Sequence, residues 1–235
     1  TFTADGISST GVQLVGDSNA TVRSLLLDRQ TANVNVLEFV TDDALSVSSG
    51  FSNPTGWWNY LNATLASNPE LGLGSLDDLL LGFVGLDIRA GFFNWVGNEM
   101  TVISNSLADS TAPGVAADNL LGESLYVLRT SSDADAQAGL DNIMMTLSML
   151  ISSFTSLDGS AAGGFDAGTT EVVAGTSVRT MELTDGIILS YAVVDGFVLI
   201  GTDHTSVGNA LNARAAGGNA SATISRMLAA VPDDS

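Results

Sequence analysis

The sequence predicts an α+β fold in which helices pack on one face of an antiparallel β-sheet. Three observations predict it: two strand patterns in the middle of the chain, a long helix pattern after them, and a group of apolar runs joined by tight turns near the C terminus. Strands and helices that segregate along the chain in this way are typical of an antiparallel sheet packed against helices.

The C-terminal apolar runs predict a three-stranded antiparallel meander. Its strands are residues 178–183, 187–194 and 197–200. Asp185-Gly186 and Asp195-Gly196 separate them, and an Asp-Gly pair between two such runs favours a type I′ turn, because both central residues need a positive φ. The meander therefore forms the C-terminal part of the predicted sheet.

A long helix is predicted to begin near Asp133, ahead of the meander. The carboxylates of Asp133 and Asp135 suit the positive end of a helix dipole, and Ser131 and Ser132 are further capping candidates. Apolar residues then recur at helical spacing: Leu140, Ile143, Met144, Leu147, Leu150, Ile151 and Phe154. The methionines of this helix could form an adaptable binding surface, but core packing is the preferred interpretation for all three: Met144, Met145 and Met149.

The remaining elements follow from shorter patterns. Residues 99–104 and 124–130 are predicted strands, and the segment between them, 106–122, is a predicted surface loop. Further helices are predicted at residues 57–66, 76–84, 205–215 and 220–230. Toward the N terminus the pattern predicts a strand at 34–40 and a weaker one at 11–15, whereas 21–27 fits either a helix or a strand.

Composition excludes several classes of protein. The 235 residues include no lysine and no cysteine, and the formal net charge is -19. Phosphate-cradling lysines, thiolate nucleophiles and zinc–thiolate sites are therefore excluded. The acidic balance argues against nucleic acid and against docking on an anionic membrane. Only 14% of residues are charged, which fits either a surface that contacts other proteins or a neutral polar coat.

Candidate catalytic groups are few. The only histidine, His204, follows Asp203 at a predicted helix start, where a polar residue needs no special role. The pairs Asp77-Asp78 and Asp42-Asp43 resemble helix caps and solvated turns, although carboxylates distant in sequence could still converge for hydrolysis. Asp133-x-Asp135 is only a fragment of a calcium loop. We therefore expect no catalytic residue, no cofactor and no metal site.

The aromatic residues are the candidate interaction site. Two groups stand out, one before and one after the helix predicted at 76–84: Trp57, Trp58 and Tyr60, then Phe92 and Phe93. Phe51 and Trp95 flank these groups. Adjacent tryptophans cannot both face inward from one side of a helix, so an interface is preferred here over ordinary core or a carbohydrate platform.

Three stretches occur in a distinctive order and spacing. They are Ser75-Leu76-Asp77-Asp78 through Gly85-Leu86-Asp87-Ile88 to Trp95-Val96-Gly97-Asn98-Glu99, then residues 124–140, then Val173-Ala174-Gly175 through Tyr191, Asp195-Gly196 and Gly201-Thr202 to Pro232. In this arrangement they resemble the domain of unknown function 3352 family of exported bacterial proteins. The resemblance covers about residues 75–235.

The resemblance implies an envelope location and a helix, turn and strand order from residue 75 onward, but no activity and no catalytic residues. Members of that family are often membrane-anchored and longer, with a second similar lobe. The chain is accordingly divided into residues 1–70, an N-terminal part packed with the rest, and residues 71–235, an α+β domain that resembles one lobe.

We expect a non-enzymatic, extracytoplasmic protein with a structural role in assembly, such as a cell-surface or filament subunit or an accessory subunit of an envelope complex. The first residue is Thr1, as would follow from removal of an export signal. The expected partners are further copies of the chain or other envelope proteins. The alternatives are a binding module for an apolar or sugar ligand and a carboxylate-based hydrolase.

Overall fold

The fold is described from a computed structural model. It describes residues 2–3, 6–7, 20–27, 34–41, 44, 46–51, 53–67, 74–104, 123–157, 168–184 and 187–217. The strands are β1 (Phe2–Thr3), β2 (Gly6–Ile7), β3 (Ser46–Phe51), β4 (Val96–Ser104), β5 (Ser124–Thr130), β6 (Thr169–Val173), β7 (Thr176–Thr184), β8 (Ile187–Val194) and β9 (Phe197–Gly201). The helices are α1 (Ala20–Leu27), a 3₁₀ helix (Val34–Phe39), α2 (Pro54–Ala66), α3 (Leu76–Val84), a π-helix (Arg89–Phe93), α4 (Asp133–Leu157) and α5 (Ser206–Ala215).

Seven strands form one antiparallel sheet in the order β3-β4-β5-β9-β8-β7-β6. The α+β class and the C-terminal meander β7-β8-β9 are thereby confirmed. Asp195 and Gly196 have φ values of 45° and 83°, so both central residues of that turn adopt the predicted positive φ. Asp185-Gly186 lies outside the described residues. The meander gains a strand, β6, through a second such turn at Ala174 and Gly175.

Helices cover both faces of the sheet, whereas the sequence predicted helices on one face. On one face Tyr191 and Val198 pack with Leu140 and Met144 of α4. On the other face the core forms between the strands, α5 and the 3₁₀ helix: Leu125, Val127, Leu199, Val207 and Leu211. Since neighbouring residues of a strand point to opposite faces, central strands that are buried on both sides need a helical layer on each.

The strand predicted at residues 34–40 is wrong, because this segment is a 3₁₀ helix at Val34–Phe39. Alternating Val and Asn imitate a strand, but the buried side chains are Val36, Phe39 and Val40, spaced by three and four residues. That spacing places them together on one side of a helical turn, where they join the α5 side of the core. The ring of Phe39 meets Phe197 edge-on at 5.2 Å.

The helix predictions hold for α2, α3, α4 and α5, and the ambiguous segment 21–27 is helical in α1. Core packing is confirmed for Met144 but is wrong for Met145 and Met149, whose side chains are 51% and 61% exposed. The predictions at residues 11–15, 106–122 and 220–230 lie outside the described part of the chain.

The N-terminal part shares the sheet with the rest of the chain. β3 was not predicted, yet its six residues pair with β4 from Ser46↔Ser104 to Phe51↔Glu99. The 3₁₀ helix belongs to the same core cluster as β5 and β9. β3 and the 3₁₀ helix are therefore built into the same sheet and core as the residues after position 70.

Candidate interaction surface

Helix α2 carries three of the predicted aromatic residues, and its start is well defined. The Oδ1 atom of Asn53 accepts a hydrogen bond from the Gly56 backbone N–H at 2.7 Å, and Pro54 is the first helical residue. An Asn cap followed by proline is a favourable helix beginning, because proline lacks only an N–H that would be unpaired there. The cap thus fixes where Trp57, Trp58 and Tyr60 lie.

Asp77 ties α2, α3 and the π-helix together. Its Oδ1 accepts a hydrogen bond from Nε1 of Trp58 at 2.7 Å. Its Oδ2 accepts from Nδ2 of Asn62 at 2.8 Å and from Nε of Arg89 at 2.6 Å. The other side of the Asn62 amide, Oδ1, accepts from the Leu76 N–H at 2.6 Å. One carboxylate at the start of α3 therefore holds two neighbouring helical segments.

The electrostatics of Asp77 follow from these contacts. Partial burial raises the pKa of a carboxyl group, but hydrogen bonds from Trp58 and Arg89, the Arg89 charge and the Asn62 hydrogen bond outweigh it. The pKa of Asp77 is therefore lowered, and the carboxylate stays charged under ordinary conditions. A charged, fully engaged carboxylate of this kind is a positioning group rather than a proton donor.

The predicted aromatic residues, each of them half-buried, come together in two sets. In the first, Trp58 lies 5.1 Å from Phe93, and Phe92 lies 5.3 Å from Phe93 and 5.1 Å from Trp95. Trp95 is completely buried and donates from Nε1 to the Gly91 carbonyl. In the second, Trp57 meets Tyr60 edge-on at 6.1 Å. An aromatic row thus leads from the core out to the surface of α2.

The most exposed apolar side chains of this region were missed by the sequence analysis. Phe83 on α3 is 84% exposed, Leu81 is 56% exposed, and Leu61 on α2 is 45% exposed. None of the α3 residues is buried, although six of its nine are apolar. The run Leu79-Leu80-Leu81 could have indicated these exposed residues. Three consecutive residues of a helix point to different sides, whereas an amphipathic helix is apolar on one side only. The exposed or half-buried apolar side chains of the two helices, Leu61, Leu81, Phe83, Trp57 and Trp58, are together called the α2–α3 surface below. Leu81 and Phe83, two positions apart, lie on different sides of α3.

A second cluster lies on the α4 side of the sheet. The hydroxyl of Tyr191 donates to Oδ1 of Asp141, which also accepts from Arg179 at 2.7 Å and from Gln137 at 2.9 Å. Burial and the Asp141 carboxylate raise the pKa of Tyr191 to about 12. A tyrosine that holds its proton this firmly fixes α4 to the sheet and is a poor acid.

The segment around His204 is structural. Oδ1 of Asp203 accepts from the backbone N–H groups of Thr205 and Ser206 at 2.6 and 2.7 Å, and Ser206 Oγ donates to Oδ2. Asp203 therefore holds the turn that leads into α5, whose N-cap residue is Thr205. His204 itself is exposed in this turn.

Several other described carboxylates meet arginines or backbone N–H groups. Arg214 contacts Glu38 at 3.1 Å and Asp195 at 2.8 Å, and Arg129 contacts Glu99 at 3.6 Å. The carboxylate of Asp133 accepts from the Gly196 N–H at 3.0 Å. Within the described residues, no cluster of three or more potential metal ligands occurs, and no helix is long and apolar enough to cross a membrane.

Comparison with known proteins adds no further constraint. No protein-family model, curated protein or solved structure matched the chain. The resemblance to the domain of unknown function 3352 family stays a prediction.

Proposed function

We propose that the protein is an extracytoplasmic, non-enzymatic assembly protein, a surface, filament or envelope-complex subunit that makes its contacts through the α2–α3 surface. The exposure of Phe83 on a helix with no buried residue carries this proposal. Large apolar side chains grouped on a surface are typical of protein interaction sites. Complete burial of one phenylalanine stabilises an interface by about 2 kcal/mol.

The polar contacts beneath the surface support the same proposal. Asp77 fixes α3 against α2, so the exposed side chains are presented by a defined helix pair. A surface that is ordered before it binds loses less conformational entropy on association. The engaged carboxylates of Asp77, Asp141 and Asp203 serve structure, which favours a structural role over the carboxylate-based hydrolase.

A binding module for a sugar or apolar ligand is the second candidate. The half-buried pair Trp57 and Tyr60 favours it, since aromatic rings at a surface can stack on a sugar. Titration with oligosaccharides, followed through tryptophan fluorescence, would separate the candidates. Saturable quenching that disappears in Trp57→Ala would favour the binding module.

Sedimentation of the wild-type protein over a wide concentration range, with electron microscopy of the same samples, tests assembly directly. We expect species larger than the 24.1 kDa chain. The double variant Leu81→Ser/Phe83→Ser should shift them toward monomer. Val172→Ser is the matched control, because Val172 is 73% exposed but lies on β6. A wild-type protein that stays monomeric throughout would refute self-assembly through this surface.

A further inference from the structure

Among the described strands, β3 is an edge of the sheet. It stands at one end of the strand order and pairs with β4 on one side, and no described strand pairs with its other side. Ser46, Ser48, Ser49 and Gly50 are exposed. Such a strand presents a row of backbone N–H and C=O groups that can pair with another strand.

The two edges of the sheet differ in their protection. Soluble proteins guard edge strands with charged side chains or proline. β6, the opposite edge, carries the exposed charge of Glu171, whereas β3 has neither a charge nor a proline. On the neighbouring strand, Met100 is 41% exposed and lies on the same face as Ser48 and Gly50. β3 is therefore the edge that can accept a further strand.

The charge distribution indicates what pairs with β3. The chain has a net charge of -19, yet residues 44–69, which include β3 and α2, contain no charged side chain. Two acidic molecules approach most easily where neither presents a carboxylate, because like charges repel. A basic partner would instead be recognised by carboxylates, and residues 44–69 offer none. The distribution therefore favours a second copy of the chain.

We propose that β3 pairs antiparallel with β3 of a second copy across a two-fold axis, which joins two sheets into one. Strands related by a two-fold axis perpendicular to them run antiparallel, and each supplies the backbone donors and acceptors that the other needs. Pairing with β6 would bring Glu171 into the contact. The inference rests on the proposed assembly function and adds to it a contact separate from the α2–α3 surface.

Placing a charge at position 48 tests this pairing. When two β3 strands pair antiparallel, Ser48 of one copy lies opposite or close to Ser48 of the other. Ser48→Lys should weaken self-association at least tenfold, and so should Ser48→Asp, since like charges across paired strands are destabilising. The lysine lowers the net negative charge by one, so general repulsion cannot explain its effect. Thr170→Lys, an exposed position on β6, is the matched control and should leave association unchanged.

Mixing Ser48→Lys with Ser48→Asp tests whether the partner of β3 is β3 of a second copy. Equal amounts of Ser48→Lys and Ser48→Asp should restore association near the wild-type level by sedimentation, because Lys then meets Asp. Circular dichroism and thermal melting of each variant check folding. If Ser48→Lys associates like wild type, or if mixing restores nothing, β3–β3 pairing is overturned while assembly through α2–α3 still stands. A wild-type protein that stays monomeric overturns self-assembly through either contact.

Discussion

The meander side of the molecule and the α2–α3 region contain similar apolar residues but use them differently. Val198, Leu199 and Ala192 in the meander are almost completely inaccessible. Helix α3 contains six apolar residues and buries none of them. The sheet is stabilised by packing on both faces, whereas α3 is held by hydrogen bonds around Asp77. The difference shows that apolar content alone does not define a core: in α3 it leaves a surface available for contacts.

The largest expected effect on stability is the difference between alanine substitutions at two glycines, Gly139 and Gly82. A Cβ at Gly139 of α4 would overlap the Gly91 carbonyl oxygen and lie 2.6 Å from Nε1 of Trp95, whereas a Cβ at Gly82 of α3 meets nothing within 4 Å. Gly139→Ala should therefore lower the free energy of unfolding by about 3 kcal/mol. Gly82→Ala should raise it by about 0.5–1 kcal/mol through helix propensity. Denaturant unfolding measures both, and equal effects would contradict the difference in packing.

The next effect concerns Asp77. Asp77→Asn removes the charge that Arg89 meets, and we expect a loss of about 1–2 kcal/mol in unfolding free energy. Because the pKa of Asp77 is lowered in the folded state, its stabilisation is fully present above the unfolded value of 3.8 and is lost as pH falls through the folded pKa. The difference between wild type and variant should therefore shrink in acid. Asp78→Asn is the comparison variant, because it removes the exposed carboxylate of the residue next to Asp77.

Tyr191 provides a smaller effect on the sheet side. Tyr191→Phe removes the hydrogen bond to Asp141 and should cost about 1 kcal/mol. The raised pKa, about 12, means that the stabilisation by this hydroxyl is present below pH 10 and is lost as pH rises through the folded pKa. An ultraviolet titration of wild type against Tyr191→Phe should show one phenol ionising near pH 12. Ionisation near pH 10 would contradict the burial of this hydroxyl.

The smallest effect on stability is expected at Phe83. With 84% of the side chain already exposed, Phe83→Ser should change the free energy of unfolding by less than about 0.5 kcal/mol. Its effect should instead appear in self-association. Thermal melting of the variant at low concentration checks the first expectation. A large loss of stability there would mean that α3 contributes to the core after all.

The fold could be predicted where pattern and turn chemistry agree. Asp195-Gly196 between two apolar runs allowed little besides a hairpin, and the structure has it. Residues 34–40 were misassigned because Val alternates with Asn, and only tertiary contacts show that Val36 and Phe39 share one side of a helical turn. Serine-rich β3 gave no strand pattern, because an exposed edge strand has no reason to alternate apolar with polar residues.

The candidate site was predicted in part for similar reasons. The aromatic residues on either side of α3 were singled out, and the structure brings Trp58 to Phe93. The role of Asp77 could not be deduced, because its partners Trp58, Asn62 and Arg89 converge only when α2, α3 and the π-helix are packed. The covered side of α4, by contrast, follows the apolar spacing, which includes Met144 and leaves out Met145 and Met149. Met144 is accordingly buried, while Met145 and Met149 are exposed.

The buried Asn62 amide has a consequence for modification. Asn62-Ala63-Thr64 matches the acceptor triplet for N-linked glycans, which attach to the side-chain nitrogen of a surface asparagine. In the folded chain that nitrogen donates to Asp77, and the residue is 8% exposed. A glycosyltransferase therefore cannot reach it after folding, and a glycan added beforehand would keep α2 from closing on α3. A sugar at this position and an intact α2–α3 pair exclude each other.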